Sequence, residues 1–263
     1  MARLLGAVVF VGCVALARPA RAQQFNSDSW VAKPHGVATV ILTAGEQTTM
    51  WMTTLSLIPD FEFTAAAYIF NRDSDRSTSE GYSTSAYAKY MFYENEAQTG
   101  GGAVKAGIGM RPSYKLENVV YKTGAQTFWM NAPVTLPFFD NRLSWDLMPG
   151  ATLTRDIPKE SGVAWAFTYS TRLAWYPLSP KLALVGEVYG SAGQAEVTPD
   201  WRAGIRWEPD AHTNVALTYA RKFDGDTGAG LEIGIMLFSP PFACFGFTCK
   251  KKPPPPSAES FTP

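Results

Sequence analysis

Apolar and polar residues alternate along most of this chain with a period of two, the spacing of side chains in a β-strand. In the clearest run, from Val163 to Trp175, bulky residues and one threonine take one face, and small residues with Arg172 take the other. The segments 104–111, 143–154, 201–208 and 230–237 repeat the pattern. No segment stands out with a helical period, so the sequence predicts an all-β fold.

The alternating segments can be counted as strands. We predict about 12 of them, an even number. They lie near 36–45, 48–57, 60–71, 81–93, 101–113, 120–136, 142–155, 162–176, 180–190, 199–208, 213–222 and 229–238. The second and sixth are the least regular, because Met50, Trp51 and Met52 blur the alternation in one and Pro133 and Pro137 interrupt the other.

Two architectures produce such alternation: a soluble sandwich, which buries its apolar faces, and a membrane barrel, which turns them toward lipid. The strand predicted over 162–176 is long enough for a tilted membrane crossing, and the polar faces carry Gly, Ala, Ser and Thr with charges mid-strand, which suits a narrow lumen. Aromatic residues gather near strand ends, as in the girdles of membrane barrels: Tyr90, Phe92, Trp145, Trp175, Tyr176, Trp201, Trp207 and Phe238. The pattern therefore favours a closed antiparallel transmembrane β-barrel.

The connections between predicted strands also fit a barrel. If the last strand ends on the periplasmic side, the tight connections at 58–60, 177–181 and 208–213 are periplasmic. The longer polar connections at 71–81 and 191–200 are then external, as in outer-membrane barrels. The turns at 94–100 and 44–47 depart modestly from this rule.

The chain begins with the features of a secretory signal peptide over residues 1–22. Arg3 precedes a short apolar run from Leu4 to Ala17, and the small-x-small triplet at 20–22 ends it, so we expect cleavage after Ala22. A lipoprotein signal at Cys13 is the alternative. We predict an N-terminal periplasmic segment at 23–35, the barrel at 36–242, and a periplasmic tail at 243–263 that holds Lys and Pro runs.

Charge and cysteine content restrict the partners. The chain has 23 basic and 23 acidic residues, and signal removal would leave a net charge of −3. That balance argues against nucleic acid as a partner. Cys244 and Cys249 would remain after export and could form a local disulfide or stay as two thiols. Neither they nor any other motif predicts a metal or cofactor site.

The segment from about Gly36 to Phe238 resembles bacterial outer-membrane β-barrels in general, of a porin- or transporter-like kind. Its last strand, 232–238, is similar to the terminal signal that barrel-assembly machinery recognises, although this chain continues for 25 residues beyond Phe238. The resemblance implies an integral outer-membrane protein, in contact with membrane lipid and with that machinery during biogenesis. The tail could also dock on a periplasmic partner.

Barrel enzymes such as outer-membrane phospholipases and lipid A deacylases resemble one another in pairing a histidine with a serine two residues on. His35 and His212 lack that serine. We therefore expect no enzyme, and lipid hydrolysis is a remote alternative.

The remaining candidates are charged residues that the strand phase turns inward: Lys89, Lys105, Arg111, Arg172, Arg202, Arg206, Lys222, Glu62, Asp146, Glu187, Glu208 and Glu232. The same phase turns Ile205 and Ile233 outward and Gly204 and Gly234 inward. The charges could pair and plug the lumen. Glu187 would then be a nearer partner of Arg206 than Glu232 is, if the two residues lie at the same height on adjacent strands. The charges could instead line a pore for small polar or anionic solutes. A third hypothesis is a structural or interaction barrel that acts through loop 71–81 or the tail at 250–263.

Overall fold

The computed structural model describes residues 36–70, 81–110, 114–116, 119–121, 126–156, 162–194, 198–224 and 228–242. Within them lie twelve barrel strands: β1 Ala38–Gly45, β2 Thr48–Ile58, β3 Phe61–Phe70, β4 Gly81–Glu94, β5 Gly101–Met110, β6 Gln126–Asn131 with Val134–Phe138, β7 Leu143–Leu147 with Gly150–Asp156, β8 Gly162–Ser179, β9 Leu182–Gly193, β10 Asp200–Trp207, β11 Thr213–Lys222 and β12 Gly230–Phe238. Two further short segments, Tyr114–Leu116 and Val119–Tyr121, pair with each other between β5 and β6.

The strands form one antiparallel sheet that closes on itself. Each strand pairs with its neighbours in sequence, and β1 pairs with β12 from Thr39 opposite Phe238 to Gly45 opposite Glu232. Closure leaves no open sheet edge, which is the requirement for crossing a lipid bilayer with strands. The prediction of a closed all-β barrel with 12 strands is confirmed.

Proline explains the two interrupted strands. Pro133 divides β6 and Pro149 divides β7, and proline has no N–H to donate to a sheet ladder. The two breaks face each other, because the Ala132 N–H donates to the Pro149 carbonyl at 2.9 Å. The strand predicted over 120–136 is therefore a pair of shorter segments reaching Phe138.

The exposure pattern is the inverse of that in a soluble protein. Val163, Trp165 and Ile233 are 62%, 52% and 55% exposed, whereas the charged Arg172 and Glu187 are 3% exposed. Such an exterior suits lipid contact, and the charged side chains lie inside. Ile205 and Gly234 also take the predicted sides of the wall. No helix in the described ranges is long and apolar enough to span a membrane.

Most of the predicted girdle residues lie on the exterior, but two do not. Tyr90, Phe92, Trp145, Trp175 and Trp207 are exposed. Tyr176 and Phe238, by contrast, are 8% and 6% exposed and follow the inward phase of their strands. Their assignment to the girdle is therefore wrong, because position near a strand end does not override the alternation of faces.

Both ends of the described chain lie at one end of the barrel, which we call the proximal end; the opposite end is the distal end. Near the proximal end, β1 and β12 bury an apolar cluster of Val37, Ile41, Met236 and Phe238, with Met50 and Met52 of β2 packed against it. Beyond β12, the Phe242 N–H donates to the Gly36 carbonyl at 2.7 Å, which extends the β1–β12 seam.

Candidate functional site

A row of alternating charges crosses the inner wall. Asp146 on β7 is opposite Arg172 on β8, Arg172 is opposite Glu187 on β9, and Glu187 is opposite Arg202 on β10. We call these four residues, together with Glu232 on β12, the charge ladder. Alternating signs on neighbouring strands let each buried charge face an opposite one, which offsets part of the cost of removing it from water.

The Asp146–Arg172 pair is the most completely bonded part of the ladder. Both Nε and Nη2 of Arg172 donate to Oδ2 of Asp146, at 2.8 and 2.6 Å. The hydroxyl of Thr135 on β6 donates to Oδ1 of the same carboxylate. Asp146 and Arg172 are 2% and 3% exposed, so this pair lies where a water molecule barely reaches it.

At its other end the ladder spans a strand. Nη2 of Arg202 lies 2.9 Å from Oε2 of Glu232, so the pair bridges β10 and β12 across the inner face of β11. The Thr48 hydroxyl on β2 donates to the other oxygen, Oε1, at 3.2 Å. Glu232 therefore links the ladder to the strands on the far side of the β1–β12 seam.

Arg206 belongs to a separate cluster nearer the proximal end. Its Nε lies 2.9 Å from Oε1 of Glu208 on the same strand. The Tyr176 hydroxyl accepts from Nη2 of Arg206 and donates to Glu208 at 2.9 Å. Glu187 was the expected partner of Arg206. The register instead places Glu187 opposite Arg202 and Arg206 opposite Ala183, so that expectation is wrong.

A third group lies on β3 to β6, strands that carry none of the ladder residues. Glu62 on β3, Lys89 on β4, Lys105 on β5 and Asn131 on β6 stand in one row of register partners, which we call the lysine row. Nζ of Lys89 lies 2.8 Å from Oε2 of Glu62. With two lysines and one glutamate, this row carries a formal charge of +1 where the ladder carries −1.

Two aromatic rings lie beside the lysine row on its distal side. Nζ of Lys105 is 5.3 Å from the ring centroid of Tyr87 and 5.4 Å from that of Trp129, within cation–π range. The two rings are 5.2 Å apart. Tyr87 and Trp129 are register partners of Gly107, one on each side. A Cβ on Gly107 would lie 2.5 Å from Cζ2 of Trp129, so only glycine leaves room for this ring.

Exposure of the inner wall changes along these strands. Ser85, Tyr87, Gly107, Thr127 and Trp129, all distal to the lysine row, are half-buried, whereas Lys89, Lys105 and Asn131 are at most 8% exposed. The inner wall is therefore more accessible on the distal side of the lysine row than at the row itself. We call the region lined by these half-buried residues the vestibule.

The other predicted residues have these positions. Glu208 and Lys222 are half-buried. Arg111, His35, Cys244 and Cys249 lie outside the described residues, so the disulfide stays a prediction. His212 donates its backbone N–H to Asp210 at 2.6 Å, and its ring lies 3.4 Å from the Phe238 carbonyl, a structural setting at the proximal rim. No group of three or more metal-ligand side chains occurs in the described part of the chain.

Sequence reasoning missed several residues of the interior. Asp200 is the register partner of Lys222. It adds an acidic residue to the predicted inward set, in which basic residues outnumber acidic ones. Tyr87, Trp129 and Tyr176 contact inward lysine or arginine side chains. The strand phase could have found them, since Tyr87 is two residues from Lys89, but only charged residues were considered as candidates for the interior and Tyr176 was assigned to the girdle.

The sequence matches no known family model, and no curated protein matches it at a significant level. Among solved structures, the fold is similar to the KdgM porin in complex with disordered oligogalacturonate, with a TM-score of 0.52 and 9% identity over 76% of this chain and 98% of that one. It is also similar to an outer membrane channel from Pseudomonas putida F1, with a TM-score of 0.50 and 12% identity over 82% of this chain and 99% of that one. LpxR from Salmonella typhimurium aligns with a TM-score of 0.41 and 7% identity, over 77% and 99% of the two chains. At these identities the likeness shows the fold alone.

Proposed function

We propose that the protein is an outer-membrane channel through which small polar solutes pass, with anions favoured. The observation that carries the proposal is that hydroxyl and charged side chains line the interior along its length. They extend from Ser56 and Thr64 in the proximal halves of β2 and β3 to Thr127 and Thr154 in the distal halves of β6 and β7. A hydrated solute inside a barrel needs such partners to replace lost water contacts. The two channel-like folds reported above support the same function.

Passage requires the ladder to rearrange. Its members are 2–5% exposed, except the half-buried Arg202, so ion pairs close the lumen at this level. The twelve barrel strands form the wall and the ladder side chains project from its inner face, so the closure by described residues at this level consists of side chains. Side chains change rotamer within nanoseconds when exposed, and more slowly when packed. The ladder thus acts as a side-chain gate, and its opening limits the size of the solute.

The burial of these pairs favours a second candidate, a permanently closed barrel with a structural or interaction role. In that case the ladder stabilises the wall and solutes never cross. Activity would then lie in the external loop 71–81 or in the tail at 250–263. Hydrolysis of lipid is not proposed, since no serine lies two residues after His212 and the ring of His212 lies against the Phe238 carbonyl at the proximal rim.

The orientation follows from the same proposal. A signal peptide over 1–22 would export the chain of a Gram-negative cell to its outer membrane. The proximal end would face the periplasm, together with the segment 23–35 and the tail. The distal end, with the vestibule and the 71–80 connection, would face outward, as the long connections of outer-membrane barrels do.

Single-channel recording in a planar bilayer tests the proposal. We expect the purified protein to conduct in brief openings, with anions preferred over cations. Arg202→Met, which removes the cation that bridges to Glu232, should lengthen the openings and weaken the anion preference. Lys181→Met serves as the control, because Lys181 is exposed and donates to the Pro209 carbonyl at the proximal turn. A parent protein with no openings at any voltage would favour the closed barrel instead.

A further inference from the structure

We infer that the vestibule is a binding site for a small solute that combines a ring with a carboxylate. The inference deepens the proposed function and rests on it in one respect, that solutes enter the lumen from the distal end. It names the chemical class that this wall recognises and the side chains that recognise it.

The shape of the site comes from three rows of register partners. Ser85, Gly109 and Thr127 form the upper row, Tyr87, Gly107 and Trp129 the middle row, and Lys89, Lys105 and Asn131 the floor. The upper and middle rows are half-buried and the floor is buried. A solute that enters from the distal end therefore meets hydroxyls first, then two aromatic rings, and then ammonium groups.

The middle row offers a ring-binding surface. Gly107 lacks the Cβ that would collide with Trp129 at 2.5 Å and with Cβ of Tyr87 at 2.6 Å, so both rings lean toward each other over the glycine. The Tyr87 hydroxyl reaches Sδ of Met52 on β2 at 3.7 Å, which helps to hold its ring in place. The two ring planes are tilted by 59° to each other. Aromatic side chains bind other rings by stacking or by edge-to-face contact.

The floor selects the charge of the solute. Nζ of Lys105 already lies within cation–π range of both rings, so a second cation would be repelled from the same surface. Lys89 lies opposite Lys105, and the lysine row, which also contains Glu62, has a formal charge of +1. A carboxylate can accept hydrogen bonds from an ammonium group while its ring rests on the aromatic pair.

Ring-bearing carboxylates come from two sources, aromatic acids and acidic sugars. Calorimetric titration of the purified protein in detergent separates them with benzoate and glucuronate. The matched neutral compounds are benzamide and glucose, and acetate supplies the carboxylate without a ring. We expect at least one ring carboxylate to bind about tenfold more tightly than its neutral counterpart and than acetate. One charge-assisted contact can supply the difference from the neutral compound, and one stacked ring can supply the difference from acetate.

Two variants assign the preference to residues. Lys105→Met should abolish the preference for the acid over the neutral compound, and Trp129→Leu should abolish the preference for a ring over acetate. Lys181→Met, the same substitution at an exposed proximal site, should bind as the parent does. If Lys105→Met does not fold, Trp129→Leu, which removes no charge, still tests the ring surface.

Failure of this inference is distinct from failure of the channel proposal. Binding at equilibrium in detergent requires no passage, so a protein that binds but never conducts would refute passage alone. The inference is overturned if neither acid binds, if acetate or the neutral compounds bind equally well, or if both variants bind as the parent does.

Discussion

The loss of stability on removing the guanidinium of Arg172 tests whether water reaches the centre of the barrel. In the structure Arg172 donates two hydrogen bonds, of 2.8 and 2.6 Å, to one oxygen of Asp146, and both residues are almost completely buried. Arg172→Met would leave the carboxylate of Asp146 in a closed interior without this cation. Loss of one partner of a buried ion pair costs about 3–5 kcal/mol, and we expect the free energy of unfolding to fall by that amount.

The assay is unfolding by urea in phospholipid vesicles, followed by tryptophan fluorescence. The double variant Arg172→Met with Asp146→Leu removes both charges, and replacing a buried pair by apolar residues is often neutral. It should therefore recover most of the lost stability. Lys181→Met, at an exposed site, should cost less than about 1 kcal/mol. If Arg172→Met costs no more than the Lys181 control, the pair is hydrated, and the reasoning about a closed lumen fails.

Three further predictions test other parts of the barrel. Ile233→Arg, at a 55% exposed position within β12, should lower the free energy of unfolding in vesicles by about 2–4 kcal/mol, because it places a charge in lipid. Leu178→Arg, at an 89% exposed position near the proximal turn, should be tolerated. Equal losses of stability in the two variants would contradict the assigned membrane depth. Gly107→Ala should cost about 1–3 kcal/mol through overpacking against Trp129, whereas Gly186→Ala, where nothing lies within 4 Å, should cost little; the same unfolding assay checks both. N-terminal sequencing of the exported protein should begin at Gln23, and a lipidated Cys13 would show that the lipoprotein alternative is the right one.

The fold could be predicted because one signal, alternation, determines both strands and faces. The run from Val163 to Trp175 predicted the long strand β8 and its outward face, and Gly162–Ser179 forms that strand. Strand count followed in the same way. The breaks at Pro133 and Pro149 were harder to place, because proline prevents one ladder bond without ending the strand as a wall element.

The partners inside the lumen could not be predicted in the same way. Alternation gives the face of a residue but not the register of its strand against the neighbours. Glu187 and Arg206 both face inward on adjacent strands, yet the β9–β10 register sets Glu187 opposite Arg202. The contact between Arg202 and Glu232, two strands apart, depends on barrel curvature as well, for which the sequence carries no local signal.

Aromatic residues show a similar limit. Tyr176 and Trp175 are neighbours in sequence, and both lie close to the proximal end of β8. Trp175 is 50% exposed and Tyr176 is 8% exposed, where its hydroxyl bonds to Arg206 and Glu208. Amphipathic rings can serve a lipid interface or a polar interior equally well. Strand phase alone separates the two roles.

Cell fractionation followed by gel electrophoresis, with and without boiling, tests the central claim that this chain is an integral outer-membrane barrel. We predict that the mature protein is recovered in the outer-membrane fraction. It should migrate faster when unboiled, because a closed barrel with no free sheet edge resists unfolding by detergent. Recovery in the soluble periplasm, with the same mobility before and after boiling, would contradict the account.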